Sequence, residues 1–192
     1  MHHTTNHQFA SDVAFSPAVK QIQESKGSRA AYARMESQGG WSSQVSRELE
    51  GFISGLDMFY FGTANKLGQP YIQYRGGPKG LLKVIDQQTL GFADFAGNRQ
   101  YISIGNLSEN PKAFLFLMDY VNAYRVKIWG TATVVEDDQK LIGSLMDESY
   151  KGVPERAILF HIDACGSPAC STFSTVLEVQ HQGAGTPPFF AS

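Results

Sequence analysis

Two short segments place cations and glycines where the chain is predicted to turn. RGGPKG (residues 75–80) holds three glycines and two cations, and GNRQ (97–100) lies between a predicted strand and a predicted helix. Glycine lets a backbone approach a ligand closely, and free N–H groups at a helix N-terminus favour an anion. Because both segments belong to successive elements of one predicted sheet, we expect a shared anion pocket. The alternative is a tight turn and a capped helix with solvated cations.

The charge distribution favours a small anionic ligand. The chain of 192 residues has a net charge of −2, but residues 75–127 hold seven Lys and Arg against four Asp and Glu, which gives +3 there and −5 elsewhere. A long polyanion needs a broad cationic surface, so we expect neither nucleic acid nor an anionic membrane as a partner. The sequence contains no HExxH, nucleophile elbow or GxGxxG, so zinc enzymes, acyl-transfer hydrolases and dinucleotide sites are poor expectations, and we expect no metal.

Compartment is inferred from the N-terminus and the cysteines. The start MHHTTNHQF has no apolar core, and no run approaches ~18 apolar residues, so we expect neither a secretory signal nor a membrane span. Cys165 and Cys170 in CGSPAC have neither redox nor zinc spacing, and we expect two structural thiols. The reducing cytoplasm is therefore the expected location.

Hydrophobic periodicity predicts an α+β fold that is mainly β. Three helices are expected before residue 57, starting near Ser16, Ser28 and Ser46. About six antiparallel strands then follow as a meander, with a helix over RQYISIGNL, a bend at Gly130 and a last helix over 138–150. The spacing between strands is too short for βαβ crossovers, so we expect an antiparallel barrel.

The segment PYIQYRGGPKGLLKVIDQQTLGFADFAGNRQYISIGNLSENPKAFLFLMDY, followed by RVKIWGTATVVE, closely resembles the pyridoxamine 5′-phosphate oxidase-related FMN-binding proteins. The resemblance implies a split β-barrel and a homodimer with FMN at the subunit interface. It also suggests three parts: an N-terminal helical extension (1–50), an FMN-binding split-barrel domain (51–180) and a flexible tail (181–192).

Site residues are carried over by position. The strand segment 78–83 matches the family's contact with the flavin and its ribityl phosphate, 93–94 match the contact pair of the next strand, and 99–100 match an Arg-Lys pair that grips phosphate. Gln100 replaces that lysine, and Arg75 or Lys79 is expected to compensate. Arg125 falls where the family often has a glutamine. Together with the motifs above, the candidate cofactor-binding residues are Arg75, Pro78, Lys79, Gly80, Leu81, Leu82, Lys83, Ala93, Asp94, Asn98, Arg99, Gln100 and Arg125.

Two of these residues keep alternative interpretations. Lys83 lies either on the solvent face of its strand or towards an anion, and Asp94 is either a ligand acceptor or an outward-facing polar residue. No residue is singled out as a catalytic acid or base.

The C-terminus departs from true pyridoxamine phosphate oxidases, because no arginine follows Arg156 where those enzymes carry substrate- and flavin-binding residues. The sequence therefore predicts an FMN-dependent oxidoreductase acting on a small substrate or electron donor, and not pyridoxal phosphate synthesis. The alternative is a non-catalytic flavin- or haem-binding carrier or sensor.

Overall fold

A computed structural model describes residues 8–147 and 150–166. The described part contains a 3₁₀ turn, Ala10–Val13, which was not expected. Its helices are α1 Pro17–Ser25, α2 Arg29–Ser37, α3 Arg47–Gly55, α4 Ile102–Glu109 and α5 Gln139–Ser144. Its strands are β1 Met58–Ala64, β2 Pro70–Gly76, β3 Lys83–Val84, β4 Thr89–Phe95, β5 Lys112–Asp119, β6 Tyr124–Val135 and β7 Pro154–Cys165.

The predicted helix starts are confirmed, and capping explains most of them. The Ser16 hydroxyl accepts a hydrogen bond from the Val19 N–H at 3.3 Å, and the Ser46 hydroxyl accepts one from the Leu49 N–H at 3.1 Å. Ser28 precedes α2 but does not cap it, because its hydroxyl donates to the Gln23 carbonyl at 3.5 Å. The helix expected over 138–150 is shorter. It is capped by Asp138 and ends at Ser144, since the polar sequence beyond Met146 offers no apolar face.

The strands form one antiparallel sheet in the order β2-β1-β5-β6-β7-β4-β3. The antiparallel expectation is confirmed, but there are seven strands, and β4 pairs with β7 instead of continuing a simple meander. The predicted bend at Gly130 is confirmed as a register shift between Trp129 and Gly130. A Cβ at Gly130 would lie 2.0 Å from the His161 carbonyl oxygen, so this close approach requires glycine.

The curved sheet encloses the main apolar core, and a smaller buried cluster of Ile142, Leu145 and Ala157 lies between α5 and β7. Alternate residues of β1, β4, β5, β6 and β7 point inwards, and α3 adds Leu49 and Ile53, which are 0% and 1% exposed. Because successive side chains of a strand point to opposite faces, the intervening residues lie on the outer side of the sheet. The sheet is not closed, since β2 and the short β3 are its two ends. We call the gap between β2 and β4 the seam.

The outer face of β2, β1 and β5 is apolar. Tyr74 lies opposite Tyr60, which lies opposite Phe116, and the next row places Ile72 and Phe114 on either side of Gly62. Ile72 and Tyr74 are 66% and 60% exposed. These residues form what we call the outer face.

Residues 15 and 41 of the N-terminal segment pack on the β6 end of this outer face. Trp41 stacks on Trp129 of β6 at 4.9 Å between ring centroids, and Phe15 packs on Trp41 at 5.1 Å. Arg125 and Lys127 of β6 lie opposite Met118 and Phe116, so both cations border the same face.

Two other expectations are affected by the structure. Cys165 is fully buried and disulfide-bonded, so the expectation of a plain thiol there is wrong, whereas Cys170 lies outside the described residues. Within 8–147 and 150–166, no helix has the length and apolarity needed to cross a bilayer. The proposed tail, 181–192, also lies outside the described residues, and the division at residue 50 stays a prediction.

Candidate functional site

A groove opens at the seam. We call it the seam groove. Residues of β2 form one wall, the end of β4 and the loop 96–101 form the other, and the start of α4 closes it. Its lining residues are Tyr71, Gln73, Arg75, Asp94, Phe95, Ala96, Gly97, Asn98, Arg99, Gln100, Tyr101, Ile102, Ser103, Ile104 and Arg156.

Two arginines share one buried carboxylate at the bottom of this groove. Arg75 of β2 forms an ion pair with Asp94 Oδ1, and Arg156 Nη1 of β7 lies 3.4 Å from Asp94 Oδ2. Asp94 is 4% exposed, so the interpretation of an outward-facing residue is wrong. A buried carboxylate is tolerated because both of its oxygens face guanidinium groups. Asp94 thus holds cations from two strands beside the groove.

The arginines retain unsatisfied donors. Arg75 Nε is buried with no hydrogen-bond partner among the described residues, while its Cζ lies 5.6 Å from the centroid of the Phe92 ring. Arg156 Nε is 3.1 Å from Glu136 Oε1, but the angle is too poor for a hydrogen bond. A cation that its protein partners only partly satisfy retains electrostatic attraction for an added anion.

The loop that follows β4 has an unusual backbone. Gly97, Arg99 and Tyr101 all have positive φ, of 48°, 57° and 51°. For residues with a side chain this conformation costs roughly 1–3 kcal/mol each and persists only where surrounding contacts hold it.

The loop is stabilised by local hydrogen bonds. The Arg99 N–H donates to the Ala96 carbonyl at 3.1 Å, and the Gln100 N–H donates to Asn98 Oδ1 at 3.2 Å. Asn98 therefore stabilises this turn and does not cap α4. Tyr101 occupies the N-cap position of α4.

The start of α4 presents free donors to the groove. Tyr101 makes no side-chain cap, and the N–H groups of Ile102, Ser103 and Ile104 have no hydrogen-bond partner among the described residues. The positive end of the helix dipole adds to their attraction for an anion. These groups complete a donor set of the kind that binds phosphate.

Polar side chains fix α4 against the sheet. Ser103 Oγ donates to Gln73 Oε1 of β2 at 3.0 Å, and buried Asn106 Nδ2 donates to Thr63 Oγ1 of β1 at 2.9 Å. Because both acceptors belong to strands, the helix start is held at a set distance from the seam.

A second groove lies beside α5, and we call it the outer groove. Its lining residues are Gly76, Gly77, Pro78, Leu81, Lys83, Ala93, Phe95, Leu145, Met146, Asp147 and Tyr150. Phe95 lines both grooves. Lys83, which the sequence left open, is half-buried in this groove.

The structure separates the thirteen candidate residues into three sets. Five line the seam groove: Arg75, Asp94, Asn98, Arg99 and Gln100. Four line the outer groove: Pro78, Leu81, Lys83 and Ala93. The remaining four, Lys79, Gly80, Leu82 and Arg125, line neither.

The residues outside the grooves have different environments. Leu82 is 1% exposed and belongs to the core, so its side chain is not available to a ligand. Gly80 is buried with a φ of +74°, and its N–H donates to the Leu56 carbonyl at 2.8 Å. Lys79 is exposed, and Arg125 lies on the outer face.

Sequence reasoning missed Arg156 and Tyr101. Arg156 is 7% exposed despite its charge and lies directly opposite Asp94 in the β4–β7 pairing. The signal in the sequence was the charged Arg156 directly before the apolar run AILF. On a central strand such a cation is buried, and it then needs a buried partner of opposite charge.

Comparison with known proteins identifies the family. The family profile described as pyridoxamine 5′-phosphate oxidase matches residues 45–160, which is more than half of the chain. No curated protein matches this chain.

Solved structures share the fold at low identity. A putative pyridoxamine 5′-phosphate oxidase from Lactobacillus delbrueckii has a TM-score of 0.52 at 17% identity and covers 66% of this chain and 96% of its own. HupZ from Group A Streptococcus has a TM-score of 0.52 at 17% identity and covers 63% of this chain and 91% of its own. The split-barrel expectation is therefore confirmed, and this chain belongs to the pyridoxamine 5′-phosphate oxidase family.

Proposed function

We propose that this protein binds FMN and acts as an FMN-dependent oxidoreductase on a small substrate or electron donor. The observation that carries the proposal is the donor set of the seam groove. Arg99, the start of α4 and Arg75 all line it. Within the described residues, the first N–H groups of α4 and the buried Arg75 Nε have no hydrogen-bond partner. A phosphate monoester dianion matches this combination of cations and backbone donors.

The two grooves fit the two ends of such a ligand. The seam groove would take the phosphate, and the outer groove, with the apolar side chains of Leu81, Phe95 and Leu145, would take the flat ring. Phe95 contributes to both grooves, so one elongated ligand can contact it along its length. Lys83 would then lie beside the polar edge of the ring.

When bound, the flavin supplies the redox chemistry by accepting or donating a hydride at its N5. The chain anchors the phosphate through Arg99 and α4, orients the ring between Leu81 and Phe95, and excludes water from the apolar wall.

A second copy of the chain completes the proposal. The part of the outer face that the described residues leave uncovered exposes Ile72 and Tyr74 beside the half-buried Tyr60, and contiguous exposed apolar surface marks an interaction site. Arg125 borders this face and lies in neither groove of its own chain. The family resemblance implies a homodimer with FMN at the subunit interface, and in a dimer paired through the outer face Arg125 would lie at that interface.

Absorption spectroscopy and fluorescence titration test the proposal. We expect purified protein to bind FMN with a micromolar or lower Kd and to bind riboflavin, which lacks the phosphate, more weakly. Protein that binds neither flavin would contradict the proposal. Turnover is tested by adding NADH or NADPH to the FMN complex and following loss of flavin absorbance, with and without an acceptor.

A non-catalytic carrier or sensor is the second candidate function. It is favoured by the absence of any arginine after Arg156 in the sequence, where true pyridoxamine phosphate oxidases carry substrate-binding residues. A stable FMN complex that neither nicotinamide nucleotide reduces would support the carrier. A strong Soret band after titration with haemin, together with no FMN binding, would support a haem carrier.

A further inference from the structure

Arg156 connects the bottom of the seam groove with the start of α4. Its guanidinium lies 3.4 Å from Asp94 on one side, and its Cζ lies 5.3 Å from the centroid of the Tyr101 ring on the other. Glu136 and Glu155 also form ion pairs with it. At 7% exposure, this arginine is held by protein groups and is not a solvated surface cation.

Tyr101 is the residue on which the free donors of α4 depend. It is the N-cap, it has a left-handed backbone with φ 51° and ψ 20°, and it makes no side-chain cap. A tyrosine is strained in this conformation, and the residue is 46% exposed, so packing alone does not hold it. The Arg156 guanidinium over the ring supplies an attraction that this geometry needs.

We infer that Arg156 is a positioning residue: it holds Tyr101, and through it the loop 96–101 and the first N–H groups of α4, in the conformation that receives a phosphate. Arg156 acts through the ring of Tyr101, since its nitrogens lie nearest to the carboxylates of Asp94, Glu136 and Glu155. The inference rests on the proposed FMN function and adds to it a residue on β7 that lies far along the chain from the loop.

The two ends of the ligand should respond differently to the loss of Arg156. Arg156 acts on the phosphate end alone, because it lines the seam groove and not the outer groove. Loss of Arg156 should therefore weaken FMN but leave riboflavin almost unchanged. A merely structural role would weaken both flavins together.

The test compares Kd values for FMN and riboflavin in the full chain and in three variants, Arg156→Gln, Tyr101→Leu and Tyr101→Phe. We expect Arg156→Gln and Tyr101→Leu each to weaken FMN binding about tenfold while riboflavin changes by less than about twofold. Tyr101→Phe keeps the aromatic ring and should bind FMN like the wild type. The double variant Arg156→Gln/Tyr101→Leu should bind FMN no more weakly than the weaker single variant, because both changes break one contact.

The outcomes separate the inference from the function on which it rests. Wild-type protein that binds FMN no better than riboflavin would overturn the assigned phosphate site and the inference with it. Wild-type protein that prefers FMN, with variants that keep the same preference, would overturn the inference alone. If Arg156→Gln does not fold, the comparison of Tyr101→Leu with Tyr101→Phe still decides between the outcomes.

Discussion

Arg75 and Asp94 form an ion pair that bridges the seam of the open sheet. Arg75 belongs to β2 at one end of the sheet, and Asp94 belongs to β4 next to the other end. Their side chains are 13% and 5% exposed. No backbone ladder joins β2 to β4, so this pair links two edges that the strand hydrogen bonds leave apart. The seam groove lies directly over it.

Asp94→Asn is expected to lower the free energy of unfolding by about 3 kcal/mol, because it leaves two buried guanidinium groups without their shared carboxylate. Urea denaturation followed by fluorescence measures the change. The double variant Arg75→Gln/Asp94→Asn should cost less than the sum of the two single variants, since the second change removes one of the unpaired charges. Additive costs would show that the pair is not coupled across the seam.

Arg99→Ala is expected to weaken FMN binding by about 1.5 to 3 kcal/mol, the range for a hydrogen bond to a charged group. Lys79→Ala is the matched control, because Lys79 is also an exposed cation near the site but lines neither groove. Fluorescence titration with FMN gives both values. Equal losses of FMN affinity in the two variants would show that the overall charge of the protein, and not a contact in the groove, attracts FMN.

Ile72→Arg is expected to convert a dimer into a monomer, because it places a charge at the centre of the uncovered outer face. Light scattering after size-exclusion chromatography measures the mass. Leu67→Arg is the control, since Leu67 is 92% exposed in the β1–β2 turn, away from that face. A monomeric wild type would contradict the proposed dimer.

Gly130→Ala is expected to destabilise the fold by about 3 kcal/mol or more, because its Cβ would overlap a backbone carbonyl that cannot move without breaking the β6–β7 pairing. Gly143→Ala is the control. A Cβ at Gly143 meets nothing within 4 Å, and alanine should stabilise α5 by about 0.5–1 kcal/mol. Thermal unfolding should give a Tm below that of the wild type for Gly130→Ala and above it for Gly143→Ala.

Asn122→Ala is expected to raise the pKa of Asp119. The Asn122 side chain donates to Asp119 Oδ2 at 2.6 Å, and this hydrogen bond, with others from the same turn, lowers the pKa below 3.8. A lowered folded-state pKa stabilises the turn above pH 3.8, and this contribution is lost as the pH falls through the folded pKa. Carboxyl NMR titration measures the shift, and an unchanged pKa would contradict the assigned hydrogen bond.

Local patterns predicted most elements because their causes are local. Ser16-Pro17 and Ser46 mark helix starts through capping, and alternating apolar residues mark the strands. The position of Arg99 between a strand and a helix was also predicted. The pairing of β4 with β7 was not, because strand partners are set by burial of the whole sheet.

The amino-acid sequence by itself determined the family, the antiparallel α+β class and the loop that carries Arg99. Only the tertiary structure decided which charges meet. Asp94 lies 19 residues from Arg75 and 62 residues from Arg156, and no local spacing specifies such contacts. Curvature of the open sheet around its apolar core brings the three strands together, and burial of Asp94 then requires both guanidinium groups as partners.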